Sequence, residues 1–162
     1  VLIVGCSGKK RMDIGKAIDL YDGPLFRILR NHQPFPVPVF VLSAKYGIIP
    51  VDKVITDYNY RFSNEKRTPL QAENLRQKHN PQAEYLGIGP ETKVFASMGA
   101  VYLGILRLTL PHAVNLHTEG TPIGLQGQAL KDFLVGRKAH QQIAEPWRKA
   151  RDLAAQRNIS LS

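Results

Sequence analysis

Short apolar runs, each cut off by a polar or glycine-rich stretch, set the rhythm of this chain. Val1–Val4 is rich in β-branched residues and is followed at once by Gly5-Cys6-Ser7-Gly8. Such a run predicts a buried strand ending in a tight loop. Val37–Leu42, Thr92–Ser97 and Ala113–Leu116 predict three further strands. The stretch Ser43–Tyr60 mixes polar and aromatic residues without a clear period and predicts a loop.

Helical patterns fill the spaces between these strands. Ala17–Arg30 has one, interrupted by Asp22-Gly23-Pro24, and Pro24 suits the first turn of a new helix. Thr68-Pro69-Leu70-Gln71 predicts a helix start with a capping box, the helix reaching about Lys78. Ala100–Leu108 predicts the next. Gly124–Leu134 predicts another, with Leu125, Leu130, Phe133 and Leu134 on its apolar face. Pro146 opens a last helix carrying Arg148, Lys149, Arg151 and Arg157. Strands alternating with helices predict a single layered α/β domain over residues 1–162, with a central, mostly parallel sheet flanked by helices. Residues 137–162 are expected to form a basic C-terminal helix packed on it.

In such sheets ligands bind beyond the carboxyl ends of strands. Three unusual loops follow predicted strands here: Cys6–Lys10, Ser43–Asp52 and Ser97–Tyr102. A parallel sheet would bring them to one edge.

Composition narrows the partners. The chain has 162 residues and is 43% hydrophobic, enough for one self-supporting core. Its net charge is +9. That excess points to an anionic partner, whether nucleic acid, a nucleotide or acidic lipid, or else serves solubility alone. One cysteine, Cys6, excludes an internal disulfide and fits a reducing cytoplasm. Val1–Gly5 is too short for the apolar core of a secretion signal. No stretch approaches a membrane span, so no membrane partner is expected. The five histidines are scattered without zinc-type spacing; neither a metal nor a cofactor is expected.

Three constellations carry candidate chemistry. In Gly5-Cys6-Ser7-Gly8-Lys9-Lys10, backbone N–H groups, Ser7, Lys9 and Lys10 suit a phosphate. Lys10 stands where a nucleotide-binding P-loop needs Ser or Thr, which disfavours ATP hydrolysis. Cys6 is either a nucleophile activated by the lysines or a small buried residue at a strand end. In the second, Ser43-Ala44-Lys45-Tyr46-Gly47 leads to Asp52 and Tyr58. Tyr46 and Tyr58 suit base stacking, Lys45 a phosphate, and Asp52 acid–base work. The plain alternative is a surface loop with packed rings and Asp52 capping a turn. In the third, Gly99 opens a helix after a strand, Tyr102 follows, and His117 stands near a strand end, where it either titrates or is structural.

Together, Cys6-Ser7-Gly8-Lys9-Lys10, Asp19-Leu20-Tyr21-Asp22-Gly23 and Leu42-Ser43-Ala44-Lys45-Tyr46-Gly47-Ile48-Ile49 resemble a widespread uncharacterised prokaryotic and phage "CSxxK" family. Gly99-Ala100-Val101-Tyr102 and Gly120–Leu134 match its later pattern. The block from Leu42 to Tyr58 also resembles the signature of the YaaA peroxide-stress family. The resemblance spans Val1 to about Leu134. It implies a mixed α/β fold, DNA binding and kinship with proteins that bind or process bases.

The leading expectation is an enzyme acting on a modified or damaged base in nucleic acid, of DNA N-glycosidase type, with DNA favoured over RNA. Chemistry on a duplex base requires its extrusion into a pocket. Lys9, Lys10 and Lys45 would hold phosphates, Tyr46 and Tyr58 frame the base, and Asp52 and Cys6 serve catalysis. Ser7, Tyr21, Ser43, Gly47, Gly99, Tyr102 and His117 complete the binding set. The alternatives are a non-catalytic DNA-binding stress protein and an enzyme processing free nucleotides or nucleosides.

Overall fold

In the computed structural model the backbone is described for residues 1–118 and 120–156, and the side chains up to residue 140 apart from 119 and 123. Five strands form the main sheet: β1 (Leu2–Gly5), β3 (Val39–Ser43), β4 (Gly47–Pro50), β6 (Phe95–Ser97) and β7 (Val114–Asn115). Their order is β4-β3-β1-β6-β7. Only β4 runs antiparallel to its neighbour. A small second sheet pairs β2 (Ile14–Lys16) with β5 (Val54–Thr56). The helices are α1 (Ala17–Leu20), α2 (Pro24–Asn31), α3 (Pro69–Tyr85), α4 (Ala100–Thr109) and α5 (Ile123–Gln156). The layered α/β fold read from the alternation is therefore the fold of the chain.

Alternate residues of each strand feed opposite layers, as the pleat requires. Leu2, Val4, Val39 and Val41 join one buried cluster with α1, α2 and α5 residues such as Leu29, Leu130 and Leu134. Ile3, Phe40 and Leu42 join the other, with Ala83 of α3 and Leu103, Ile105 and Leu106 of α4. β1 is sealed on both faces, with Leu2, Ile3 and Val4 wholly buried. Each such side chain contributes about 1.5–3 kcal/mol.

This arrangement fixes where a ligand can sit. β1 leads into α1 and α2 on one face, whereas its neighbour β6 leads into α4 on the other. Diverging connections from adjacent parallel strands open the sheet edge between them. The switch point thus lies between the loops that follow Gly5 and Ser97.

Three local readings differ from the structure. Ser43–Tyr60 is not a plain loop: it contains β4 and β5. α3 continues past Lys78 through Pro81 to Tyr85. Proline removes one hydrogen bond there, but buried His79 and Ala83 hold the helix against the sheet. α5 is one helix through Pro146 rather than two. The side chains of Arg148, Lys149 and Arg151, and residue 157 with all that follows, lie outside the described residues.

Candidate functional site at the strand ends

The register brings the three unusual loops together. Gly5 lies beside Leu42, and Val4 beside Ser97, so the chain leaves β1, β3 and β6 at one edge. Gly5 lets β1 and the loop after β6 touch: a Cβ there would stand 2.9 Å from Met98 Cβ. Such contacts essentially never occur between real side chains, so only glycine fits without a backbone shift.

The Cys6–Lys10 loop is folded back by backbone bonds. Asp22 N–H donates to Lys9 O (2.9 Å), and Arg11 N–H to Leu20 O (2.8 Å). The segment Asp19–Gly23 is therefore part of the site's wall. Arg30 braces it by donating to Ile18 O, Tyr21 O and Asp22 Oδ1 at 2.8–3.1 Å. The Arg27 guanidinium, with Arg30 and Lys9 behind it, holds the Asp22 carboxyl below the ordinary carboxylate range.

Three hydroxyls meet behind this wall. Tyr21 OH lies 2.7 Å from Tyr58 OH and donates to Ser43 Oγ at 3.3 Å; Ser43 Oγ and Tyr58 OH are 2.8 Å apart. Ser43 Oγ also accepts from Lys45 N–H and Tyr46 N–H, which closes the tight turn after β3. Ser43 follows Val39 and Val41 on the face where Tyr21 is buried, which is why the pair meets. Tyr21 and Ser43 are fully buried and set the position of Tyr58; they are not surfaces for a ligand.

Cys6, Tyr58 and Tyr102 form the partly open layer above. The Cys6 thiol donates to Tyr102 OH at 3.5 Å. Burial pushes all three phenols up, Tyr21 to about 12 and Tyr58 and Tyr102 further. They stay protonated at neutral pH and act as hydrogen-bond donors and acceptors, never as phenolates. Tyr102 rises from the first turn of α4, whose N-cap is Gly99.

Lysines rim this layer in different ways. Lys10 is largely buried; its Nζ donates to Tyr58 O at 2.6 Å, lies 4.3 Å above the Tyr58 ring and 3.6 Å from Asp57. Its charge is committed to holding Tyr58, so it positions a tyrosine where a phosphate contact was expected. Lys9 and Lys45 are exposed, Lys45 lying 5.2 Å from the Tyr46 ring centre and 5.9 Å from that of Tyr58. Ser7 Oγ accepts from Lys9 N–H at 3.2 Å. Tyr46 meets Tyr58 edge-on at 5.6 Å and hydrogen-bonds Thr56, so its ring is packed rather than free to sandwich a base.

Asp52 stands apart from this cluster. β4 runs back along β3, with Ser43 beside Gly47 and Phe40 beside Pro50. Four strand residues at about 3.3 Å each carry Asp52 to the opposite end of the sheet. It borders a recess that runs along β4 from Tyr46 to Lys53 and takes in Tyr85. Asp57, beside Tyr58, is instead a carboxylate at the site, and its Oδ1 accepts from Tyr58 N–H at 2.7 Å. The pairing of β5 with β2 is what brings the chain back to the site at Asp57.

His117 follows β7 at the same edge, with both ring nitrogens enclosed and without a partner. Ser97 Oγ, wholly buried at the end of β6, is also unpartnered. Among the described residues no group of three or more His, Cys, Asp or Glu is placed to hold a metal ion. No helix of the described residues is long and apolar enough to cross a membrane.

Comparison with known proteins gives one relationship. No curated protein and no solved structure matches the chain. Residues 1–132, which contain every strand of the described residues, α1–α4 and the whole tyrosine cluster, match the family described as "Family of unknown function (DUF6884)", and the chain belongs to that family.

Proposed function

We propose that the protein binds nucleic acid and acts on a single base held at the β1–β6 switch point. The observation that carries this reading is the convergence of Cys6, Tyr58 and Tyr102 there, backed by the buried Tyr21–Ser43 pair and rimmed by Lys9 and Lys45. The neutral Tyr102 phenol, which accepts from Cys6 and leaves its own O–H to give, suits a ring nitrogen or carbonyl of a base. Donation to that atom draws electron density out of the bond between base and sugar. That favours a hydrolysis of N-glycosidase type, in which the C1′–N bond breaks, water adds to C1′ and its proton goes to the departing base, with Cys6 beside the base and Asp57 facing the cationic sugar. The net charge of +9 supports a polyanionic partner. The resemblance of the Leu42–Tyr58 block to the peroxide-stress family points to DNA.

One observation favours a non-catalytic reading: Asp22 and Asp57 are both ion-paired, which leaves neither poised as a free base. A titration on modified and unmodified DNA at two salt concentrations, followed by assay for abasic sites, separates the two. Salt-sensitive binding with abasic sites is expected. Cys6→Ser and Tyr58→Phe should lower product at least tenfold while affinity changes little. Tight binding to DNA that stays intact would leave the non-catalytic reading. Mononucleotide competing at concentrations that spare DNA binding would move the substrate to free nucleotides.

A further inference from the structure

We infer that the groove between segment 60–68 and the first turns of α3 binds a single strand of nucleic acid, the strand flanking the base at Cys6. This rests on the base-processing reading and assigns a second surface to it. The groove has a volume of about 510 Å³, within the range of ligand sites. Tyr60 stands at its mouth with 59% of its surface exposed. Lys66, Arg67 and Lys78 line it against one acid, Glu65.

Two links join the groove to the tyrosine cluster. The Tyr60 ring lies 6.3 Å from Phe62, Phe62 lies 5.0 Å from Tyr102, and Tyr102 receives the Cys6 thiol. At the other side, Lys78 Nζ donates to Lys45 O in the turn after β3. A strand with one base at Cys6 therefore has its neighbouring nucleotides directed into this groove. An exposed ring among cations is the arrangement that holds single strands: the base stacks and the phosphates are neutralised. The occupant this selects is a polyanion with flat apolar faces, which separates nucleic acid from an acidic peptide.

The test is fluorescence anisotropy of a labelled mixed-sequence single strand on the full chain at several salt concentrations. Tyr60→Ala should weaken binding about tenfold and Tyr60→Phe should restore it, since stacking needs the ring and not the hydroxyl. Lys66→Ala with Arg67→Ala should flatten the salt dependence by about 0.7 for each phosphate that is no longer neutralised. These residues are on the surface, and thermal melts check that each variant folds. Polyglutamate competing as well as the unlabelled strand would overturn the inference, as would Tyr60→Ala binding like the parent. If the groove variants are silent while Lys9→Ala with Lys45→Ala weakens binding, the groove is wrong and the base-processing reading stands. If the parent binds no nucleic acid at all, that reading falls with it.

Discussion

At the scale of single residues, Ser43 carries more of the site than its size suggests. Its Oγ accepts from two backbone N–H groups and from Tyr21 OH, and lies 2.8 Å from Tyr58 OH, in a fully buried place. Ser43→Ala leaves those donors without an acceptor, at a cost of about 1–3 kcal/mol. A fall in the urea midpoint checks this; an unchanged midpoint would show the hydroxyls repartner freely. Ser43, Tyr58 and Tyr102 were legible as candidates in the sequence, Ser43 and Tyr58 from the polar and aromatic make-up of one loop and Tyr102 from its place at a helix start. Their mutual contacts were not. The hydroxyl triangle joins Tyr21, Ser43 and Tyr58, and no local pattern encodes a meeting of three segments. Asp52 shows the reverse case: it is near Ser43 in sequence and far in space, because the chain doubles back between them.

At the scale of elements, α3 acts as a clamp on the β3–β4 hairpin. Gln82 Nε2 donates to Tyr46 O at 2.8 Å, and its Oε1 accepts from Ile48 N–H at 2.9 Å. These bonds hold the turn around Gly47, whose φ is +79°. A Cβ at Gly47 would lie 2.1 Å from Gln82 Oε1. Gly47→Ala should therefore cost roughly 1–2 kcal/mol from backbone strain alone, and more while Gln82 is present. In a double-mutant cycle with Gln82→Ala the penalty should shrink; strict additivity in thermal melts would exclude the clamp. The capping box of α3 was readable from Thr68 and Gln71, and both its bonds form, at 2.9 and 3.2 Å. The helix's far end was not, because Pro81 signals a stop that tertiary packing overrides. β2 and β5 were hidden for a related reason: three-residue strands carry too little alternation to stand out.

At the scale of the whole molecule, His79 couples stability to pH. It is 1% exposed, neither ring nitrogen has a partner, and burial with the Lys78 charge lowers its pKa to about 4. The folded value lies below the unfolded value of about 6.5. Its contribution is complete above that unfolded value and is lost as pH falls towards 4, by at most about 1.4 kcal/mol per pH unit. Urea midpoints at pH 7 and pH 5 should converge in His79→Leu relative to the parent; equal slopes would sink the assignment. The α/β layering itself was legible, since buried parallel strands read as continuous apolar runs.

The central place of β1 has a consequence for how the domain is made. Leu2 pairs with Val39 on one side and with Phe95 on the other. The first strand of this sheet to leave the ribosome is thus its middle strand when finished, and one of its edges waits until β6 emerges. Synthesis at about 5–20 residues per second makes that wait several seconds. Throughout it an apolar strand stands open to chaperones and to other nascent chains, and a product that stalls before Phe95 keeps that sticky edge for good.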